Sequence, residues 1–334
     1  MKYSGIGGQA ILEGIMMKNK DDYAAAVRKP DGEIVVEKGR YVSPTEKIKL
    51  FSLPFIRGVF CFADSMILGM RTLTWSAGFI EDDSEEEEEP GKFEQFLTRT
   101  FGEKLEGIFM SLVMVVSVLL AVGIFMVLPL LIANVLRGFI TSETVMAILE
   151  GFIRIGIFIG YIKVISRMND IKRTFMYHGS EHKCINCIEN GLELTVANVR
   201  KSSKEHKRCG TSFLFLVMAI SILFFVVIRV DTIWLRILSR ILLVPVIAGV
   251  SYEVLRLAGR SNSRIMDVVS RPGMWMQGLT TKEPDDSMIE VAIAAVEQVF
   301  DWKAYLEENY PEKYPKGYFE RKAAAEKAVG EKTA

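Results

Sequence analysis

Apolar and polar positions are unevenly spread along the 334-residue chain. Long apolar runs lie between residues 108 and 252, and both ends are polar and charged. Ile108 to Leu136 is 29 residues without a charge. At about 1.5 Å of rise per residue it is long enough to cross a bilayer with tilt, and Pro129 is placed to kink it. Thr211 to Ile228 is a second uncharged stretch, of 18 residues. Two weaker candidates complete the set. Val145 to Ile165 carries Glu150 and Arg154, spaced to pair on one helix face inside a bundle. Ile233 to Leu257 carries Arg236, Arg240 and Glu253, and its two arginines read as bundle-interior or interface anchors. The pattern predicts a mainly α-helical integral membrane protein with about four transmembrane helices.

The loop charges agree. Residues 166–210 hold nine Lys/Arg against five Asp/Glu, whereas 137–144 and 229–232 hold one Lys/Arg each. The positive-inside rule then puts 166–210 and both termini in the cytoplasm of a multi-pass cell-membrane protein surrounded by lipid. A two-span version leaves the termini on the same side.

The remaining segments are shorter elements. Ala24 to Arg28 and Glu33 to Glu37 flank Pro30-Asp31-Gly32 and predict a β-hairpin, which makes the N-terminal part a small α+β piece. Residues 51–80 read as one amphipathic helix, buried in a partner or lying at a membrane surface. "EDDSEEEEEP", 81–90, reads as a solvated linker. "RPGMWMQGLTTKEPDD" reads as a loop. "DDSMIEVAIAAVEQVFDWKAYLEE" reads as one amphipathic helix capped by Asp285 or Ser287, followed by a tail that is a frayed helix or disordered. The expected organisation is 1–80 hairpin and amphipathic helix, 81–105 acidic linker, 106–166 membrane helices, 167–210 cytoplasmic loop, 211–257 membrane helices, and 258–334 soluble C-terminal region.

Composition narrows the function classes. The formal net charge is zero, so no nucleic acid is expected as a partner. Residues 1–20 hold Glu13 and lack a signal peptide's apolar core, so none is expected. There is no GxxxxGK[ST] motif and no dinucleotide fingerprint in context. Four cysteines are too few and too clustered for a disulfide framework, and in a reducing compartment clustered Cys and His read as metal ligands or redox groups.

The chemistry concentrates in "YHGSEHKCINCIEN", 177–190, and "EHKRCGT", 205–211, which hold all three histidines and three of the four cysteines. His178 and Glu181-His182 form H-x-x-E-H, the inverted zincin arrangement. On a helix, His182 lies about 40° and Glu189 about 20° around from His178, while Cys184 and Cys187 fall near 240° and 180°. The histidines and the CxxC therefore do not serve one ion easily. Two metal readings follow. In one, His178 and His182 bind with His206, Cys209 or both. Glu181 is then the general base beside a metal-activated water, and Glu189, about 10 Å along the axis from His182, is an outer orienting group. In the other, Cys184, Cys187, His206 and Cys209 form a Cys3His knuckle. The bland alternative makes Cys184 and Cys187 packing residues beside Ile185 and Ile188. Glu13 is a further candidate acid, or a buried group capped by a basic partner.

"GGQAILEGIMM", "YHGSEHK", "EHKRCGTSF", "GVSYEVLRLAGR" and "PGMWMQGLTTKEPDD" together resemble the bacterial YqhQ-like family of membrane proteins, in order, from about residue 5 to about residue 300. The resemblance implies a class, predicted metal-dependent enzymes, and no particular substrate. The family pattern carries over to His178, Glu181, His182, Glu189, His206 and Cys209. A cysteine at the place of Cys184 is not part of it, which lowers the knuckle reading. The expectation is one divalent transition metal, most simply zinc, held by His178, His182 and His206, with Cys209 as fourth ligand or nearby thiolate. A position left to water makes a hydrolase with Glu181 as base; a closed fourth position makes a zinc-stapled scaffold or assembly protein. A transporter with a metal-sensing loop is a third reading. Homo-oligomers fit any of them.

Overall fold

The structure, a computed structural model, describes residues 2–43, 45, 48–80, 104–228, 230, 232–261 and 263–333. The expectation of a solvated linker over 81–90 lies outside the described residues.

The N-terminal part is a four-stranded antiparallel meander, β1 (Ile6–Ile11), β2 (Gly14–Asn19), β3 (Asp22–Arg28) and β4 (Ile34–Arg40), in spatial order β1-β2-β3-β4. The predicted hairpin is β3–β4, with Arg28 opposite Ile34. The chain carries a second hairpin, β1–β2, that the pattern did not announce. Its turn places Glu13 at φ 48°, a position where glycine or asparagine is usual. Glu13 is thus a turn residue rather than a buried strand or helix edge. Its carboxylate is nevertheless capped by a basic partner, since both oxygens accept from Arg173.

Both faces of the sheet are covered. Helix α1 (Ile56–Ala77) lays Leu68 on the face that carries Ile11, Met16, Tyr23, Ala25 and Val27. Ile15, Met17 and Ala26 alternate to the other face, where they meet Cys184, Ile188, Ile289 and Ala292 from later helices. Period-two alternation with both sides buried is what a sheet sandwiched between helix layers requires.

Among the described residues, four helices are long and apolar enough to cross a membrane. The first combines α2 (Lys104–Val122), a π-helical segment (Gly123–Val127) and α3 (Leu128–Val135). The wide turn lies just before Pro129, the residue expected to kink it. The others are α4 (Glu143–Ile165), capped by Ser142, and, later in the chain, α7 (Gly210–Val227) and α8 (Ile233–Arg260). Glu150 and Arg154 do pair within the bundle at 2.9 Å, and Arg240 of α8 joins them through both its Nη atoms. Arg154 also donates to the Phe125 carbonyl and to Ser221. Phe225 lies under both guanidiniums.

Between these pairs of spans, 166–210 is mostly helix: α5 (Asn169–Glu189) and the short α6 (Val196–Lys201). Helix α5 ends in a glycine cap, with Gly191 left-handed at φ 73° and Leu192 N–H closing on the Cys187 carbonyl.

Two C-terminal expectations are corrected. "RPGMWMQGLTTKEPDD" is no loop up to Thr280. Helix α9 (Arg264–Thr280) runs through Pro272, and only residues 281–285 are irregular. Packing overrides local propensity here: a Cβ on Gly273 would stand 2.8 Å from Ser212 Oγ, so the missing side chain lets α9 lie against α7. The single helix expected over 285–308 is two, α10 (Asp286–Val299), capped by Asp285, and α11 (Trp302–Asn309), capped by Asp301. The second cap, Asp301 accepting from Ala304 N at 2.9 Å, restarts the helix in a new direction. The tail, expected as a frayed helix or as disordered chain, is helical and belongs to α12 (Tyr318–Thr333).

Candidate metal centre

Helix α5 passes under β1 and beside the start of α7, and the two strings singled out in the sequence meet there. His178 and His182, one turn apart, have ring centroids 4.4 Å apart. Cys209 is the N-cap residue of α7, its Sγ accepting from Thr211 N at 3.4 Å, and it stands 3.2 Å from His178 Nε2. One ligand atom from each of these three residues lies within 4.8 Å of the others.

The tautomers of both rings follow from their backbone partners. His178 Nδ1 is 3.0 Å from the Thr280 carbonyl, and His182 Nδ1 is 2.6 Å from the Lys204 carbonyl. A carbonyl only accepts, so each Nδ1 carries the proton and each Nε2 keeps a lone pair. Ligating histidines are held in this way. A tetrahedral zinc site, with metal–N near 2.0–2.1 Å and metal–S near 2.3 Å, has ligand–ligand edges of roughly 3.3–3.6 Å. The donor set and its spread thus fit such an ion after small side-chain rotations.

His206 is the predicted ligand that is not in this group. Its ring centroid is 5.8 Å from that of His182, and its Nε2 is directed toward Glu189, 3.5 Å from Oε2. Arg208 N donates to its Nδ1, which puts the proton on Nε2. Burial pushes the imidazole below its usual range, and Arg208 adds to that. Gln277 accounts for the placement. Fully buried on α9, it accepts from His206 N at 2.9 Å and donates to His206 O at 2.7 Å, and it also donates to Ser212. No spacing rule in the sequence points to Gln277.

Glu189 is buried and faces His206. It accepts from Ser4 N and Oγ and from Arg208 Nη2. Burial alone would raise its carboxyl; the His206 and Arg208 contacts outweigh this and hold it at about 2. Helix α5 further straps residues 200–205 with five side-chain hydrogen bonds: Lys183 to the Arg200 and Ser202 carbonyls, Asn186 to those of Ser203 and Glu205, and His182 to that of Lys204.

Cys184 and Cys187 lie in the core under the sheet with Ile289 and Ala292. Burial pushes the Cys184 thiol far up and the Cys187 thiol to about 11. Cys187 Sγ donates to the Glu193 carbonyl at 3.4 Å. They pack as neutral thiols, and the knuckle arrangement is not formed.

Glu181 lines the same cleft as His178, His182, His206 and Cys209, a cavity of about 650 Å³. It is buried, which pushes its carboxyl up against the opposing pull of His178 and the Gly8 amide. Gly8 is the N-terminal residue that meets the site. A Cβ there would stand 3.2 Å from the Glu181 carboxyl carbon and 2.6 Å from the Met16 carbonyl. The signal was the Gly7-Gly8 pair inside a strand, which marks a close approach.

A family model described as "Protein of unknown function (DUF1385)" matches residues 53–302. The chain is also 33% identical over 305 residues to a Bacillus subtilis (strain 168) protein named "Uncharacterized protein YqhQ", covering 91% of this chain and 94% of that one. No solved structure matches it.

Proposed function

The chain belongs to the family described as Protein of unknown function (DUF1385), whose matched region contains the whole His/Cys cluster, and on that premise we propose that it is a metal-dependent hydrolase working at the membrane face. The observation that carries this reading is the convergence of ligand atoms of His178, His182 and Cys209 in a roomy cleft shared with Glu181. Three protein ligands leave a coordination position open, as catalytic zinc sites do. When bound, such an ion supplies Lewis acidity toward water and toward a carbonyl or phosphoryl oxygen.

The chain's own groups supply the rest. His178 and His182 are oriented by the Thr280 and Lys204 carbonyls. Glu181, held in a buried place that favours a proton, accepts one from the attacking water and returns it to the leaving group. Water oxygen forms the new bond, the bond to the leaving group breaks, and no redox partner is needed. The charge bias of 166–210 supports a cytoplasmic placement of the site.

The test has two parts. Elemental analysis of the purified protein should find about one zinc or similar ion per chain, lost in His178→Ala/His182→Ala. Glu181→Gln should keep the metal and fail to complement a deletion strain. Equal metal in wild type and double variant removes the site. Full complementation by Glu181→Gln removes the catalytic role and leaves a zinc-stapled scaffold.

A further inference from the structure

The cleft opens at the depth where the spans begin. Cys209 is the residue immediately before α7. Phe62 of α1 packs against Phe213 of α7 at 5.3 Å, and a Cβ on Gly58 would stand 2.6 Å from Tyr252 of α8. Helix α1 is thus pinned across the ends of two membrane helices. Its outward face carries Phe62, Met66, Ile67 and Met70, each between 41% and 58% exposed. A contiguous apolar face of this kind, rooted on membrane helices, lies in the bilayer interface.

The lining of the cleft is mixed. His178, Glu181 and Cys209 share it with Gly7 and Gly8 of β1, and Phe62, Phe213, Leu214 and Leu255 give it an apolar wall. Phe62 and Leu214 are each 41% exposed, so this apolar wall continues outward into the lipid-facing surface of α1 and α7. A second cavity of about 460 Å³ adjoins the first across Gly7, Gly8 and Gln9, with Lys18, Lys20, Ser43, Thr45 and Asp64 on its walls. An apolar entrance from the membrane, candidate hydrolytic groups in the middle and a basin beyond them, where two ammonium groups outnumber the Asp64 carboxylate held by Tyr41 and Ser43, form one amphipathic groove.

We propose that the substrate is a membrane lipid or lipid-linked molecule, which enters sideways from the bilayer with its apolar chain on Phe62, Phe213 and Leu214 and its polar headgroup toward Lys18 and Lys20. The chemistry performed on it rests on the hydrolase reading above; lipid occupancy of the groove does not.

The full-length protein is reconstituted in nanodiscs of phosphatidylethanolamine and phosphatidylglycerol that include a phosphatidylglycerol with a diazirine in one acyl chain. Labelled residues are located by mass spectrometry after irradiation, and bound metal is measured on the same sample. The expected result is labelling of Phe62, Phe213 and Leu214 that falls roughly tenfold, the equivalent of ~1.4 kcal/mol, when Leu214→Trp or Ser65→Trp fills the cleft. Labelling of outward residues such as Leu223 and Leu242 should be unchanged. Label confined to those outward residues, or cleft label indifferent to both fillings, overturns the proposal. Filling-sensitive cleft label in a sample without metal upholds it while removing the hydrolase reading.

Discussion

Gly7 and Gly8 are adjacent on β1, yet the structure predicts opposite responses to a single methyl group. A Cβ on Gly7 meets nothing within 4 Å, whereas one on Gly8 would lie 2.6 Å from the Met16 carbonyl of the neighbouring strand and 3.2 Å from the Glu181 carboxyl carbon. Ordinary contact begins at 3.4 Å, so Gly8→Ala must move paired backbone by 3.4 − 2.6 = 0.8 Å. Overpacking of that kind costs about 1–3 kcal/mol. Replacing glycine by alanine restricts the unfolded chain and returns about 0.4–1 kcal/mol at either position. Gly7→Ala is therefore expected to gain about 0.4–1 kcal/mol and Gly8→Ala to lose about 1–2 kcal/mol, a gap near 2 kcal/mol. Chemical unfolding of the two variants in the same detergent, with denaturant midpoints compared at constant slope, measures that gap. Because the Gly8 amide also faces Glu181, Gly8→Ala should lose complementation beyond its loss of stability. Equal midpoints, or a more stable Gly8→Ala, would refute the close packing of β1 on α5.

Further outcomes follow from other parts of the structure. Glu189, whose carboxyl is lowered from 4.5 to about 2, contributes stability that is complete above pH 4.5 and is lost as pH falls toward 2. The stability difference between wild type and Glu189→Gln should accordingly shrink by about 3 kcal/mol over that window, and a pH-independent difference would count against the buried Arg208 pair. Cys187→Ala should leave the metal content unchanged while costing about 1–2 kcal/mol of stability; a variant without metal would restore the knuckle reading. Glu150→Leu strands the guanidiniums of both Arg154 and Arg240 and should cost about 3–5 kcal/mol, against less for Arg240→Leu, which leaves Glu150 paired with Arg154; thermal stability in detergent ranks the two.

The membrane spans were readable because hydropathy over some twenty residues reports directly on whether a helix tolerates lipid. The His178–His182 face was readable for a similar reason: it depends only on helical periodicity, as does the separation of Cys184 and Cys187 onto a packed side. The position of His206 was not, because it hangs on Gln277, 71 residues away, through two hydrogen bonds that no periodicity encodes. The β1–β2 hairpin was missed because its turn is Leu12-Glu13, without the glycine or asparagine that φ 48° favours, and Arg173 supplies from outside what the turn lacks locally. Pro272 and Gly273 misled for the opposite reason. They are breakers by propensity, but the close approach of Ser212 is a gain available only once α7 is in place. Asp301 was a legible cap that the long apolar pattern around it obscured.

The Glu150–Arg154–Arg240 cluster also constrains the order in which the protein is made. Arg240 lies 90 residues beyond Glu150, so at 5–20 residues per second a ribosome reaches it roughly 5–20 s later. During that interval α4 has to enter the membrane with a carboxylate whose interhelical partner does not yet exist. Arg154, four residues on in the same helix, removes the difficulty: the nascent helix carries its own counter-ion and inserts as a neutral unit. When α8 arrives, Phe225, already placed by α7, offers its ring to the second guanidinium as it does to the first. Arg154 is in this sense an internal chaperone for its own segment, and its loss should appear as a topology defect during biogenesis before it appears as instability in the finished protein.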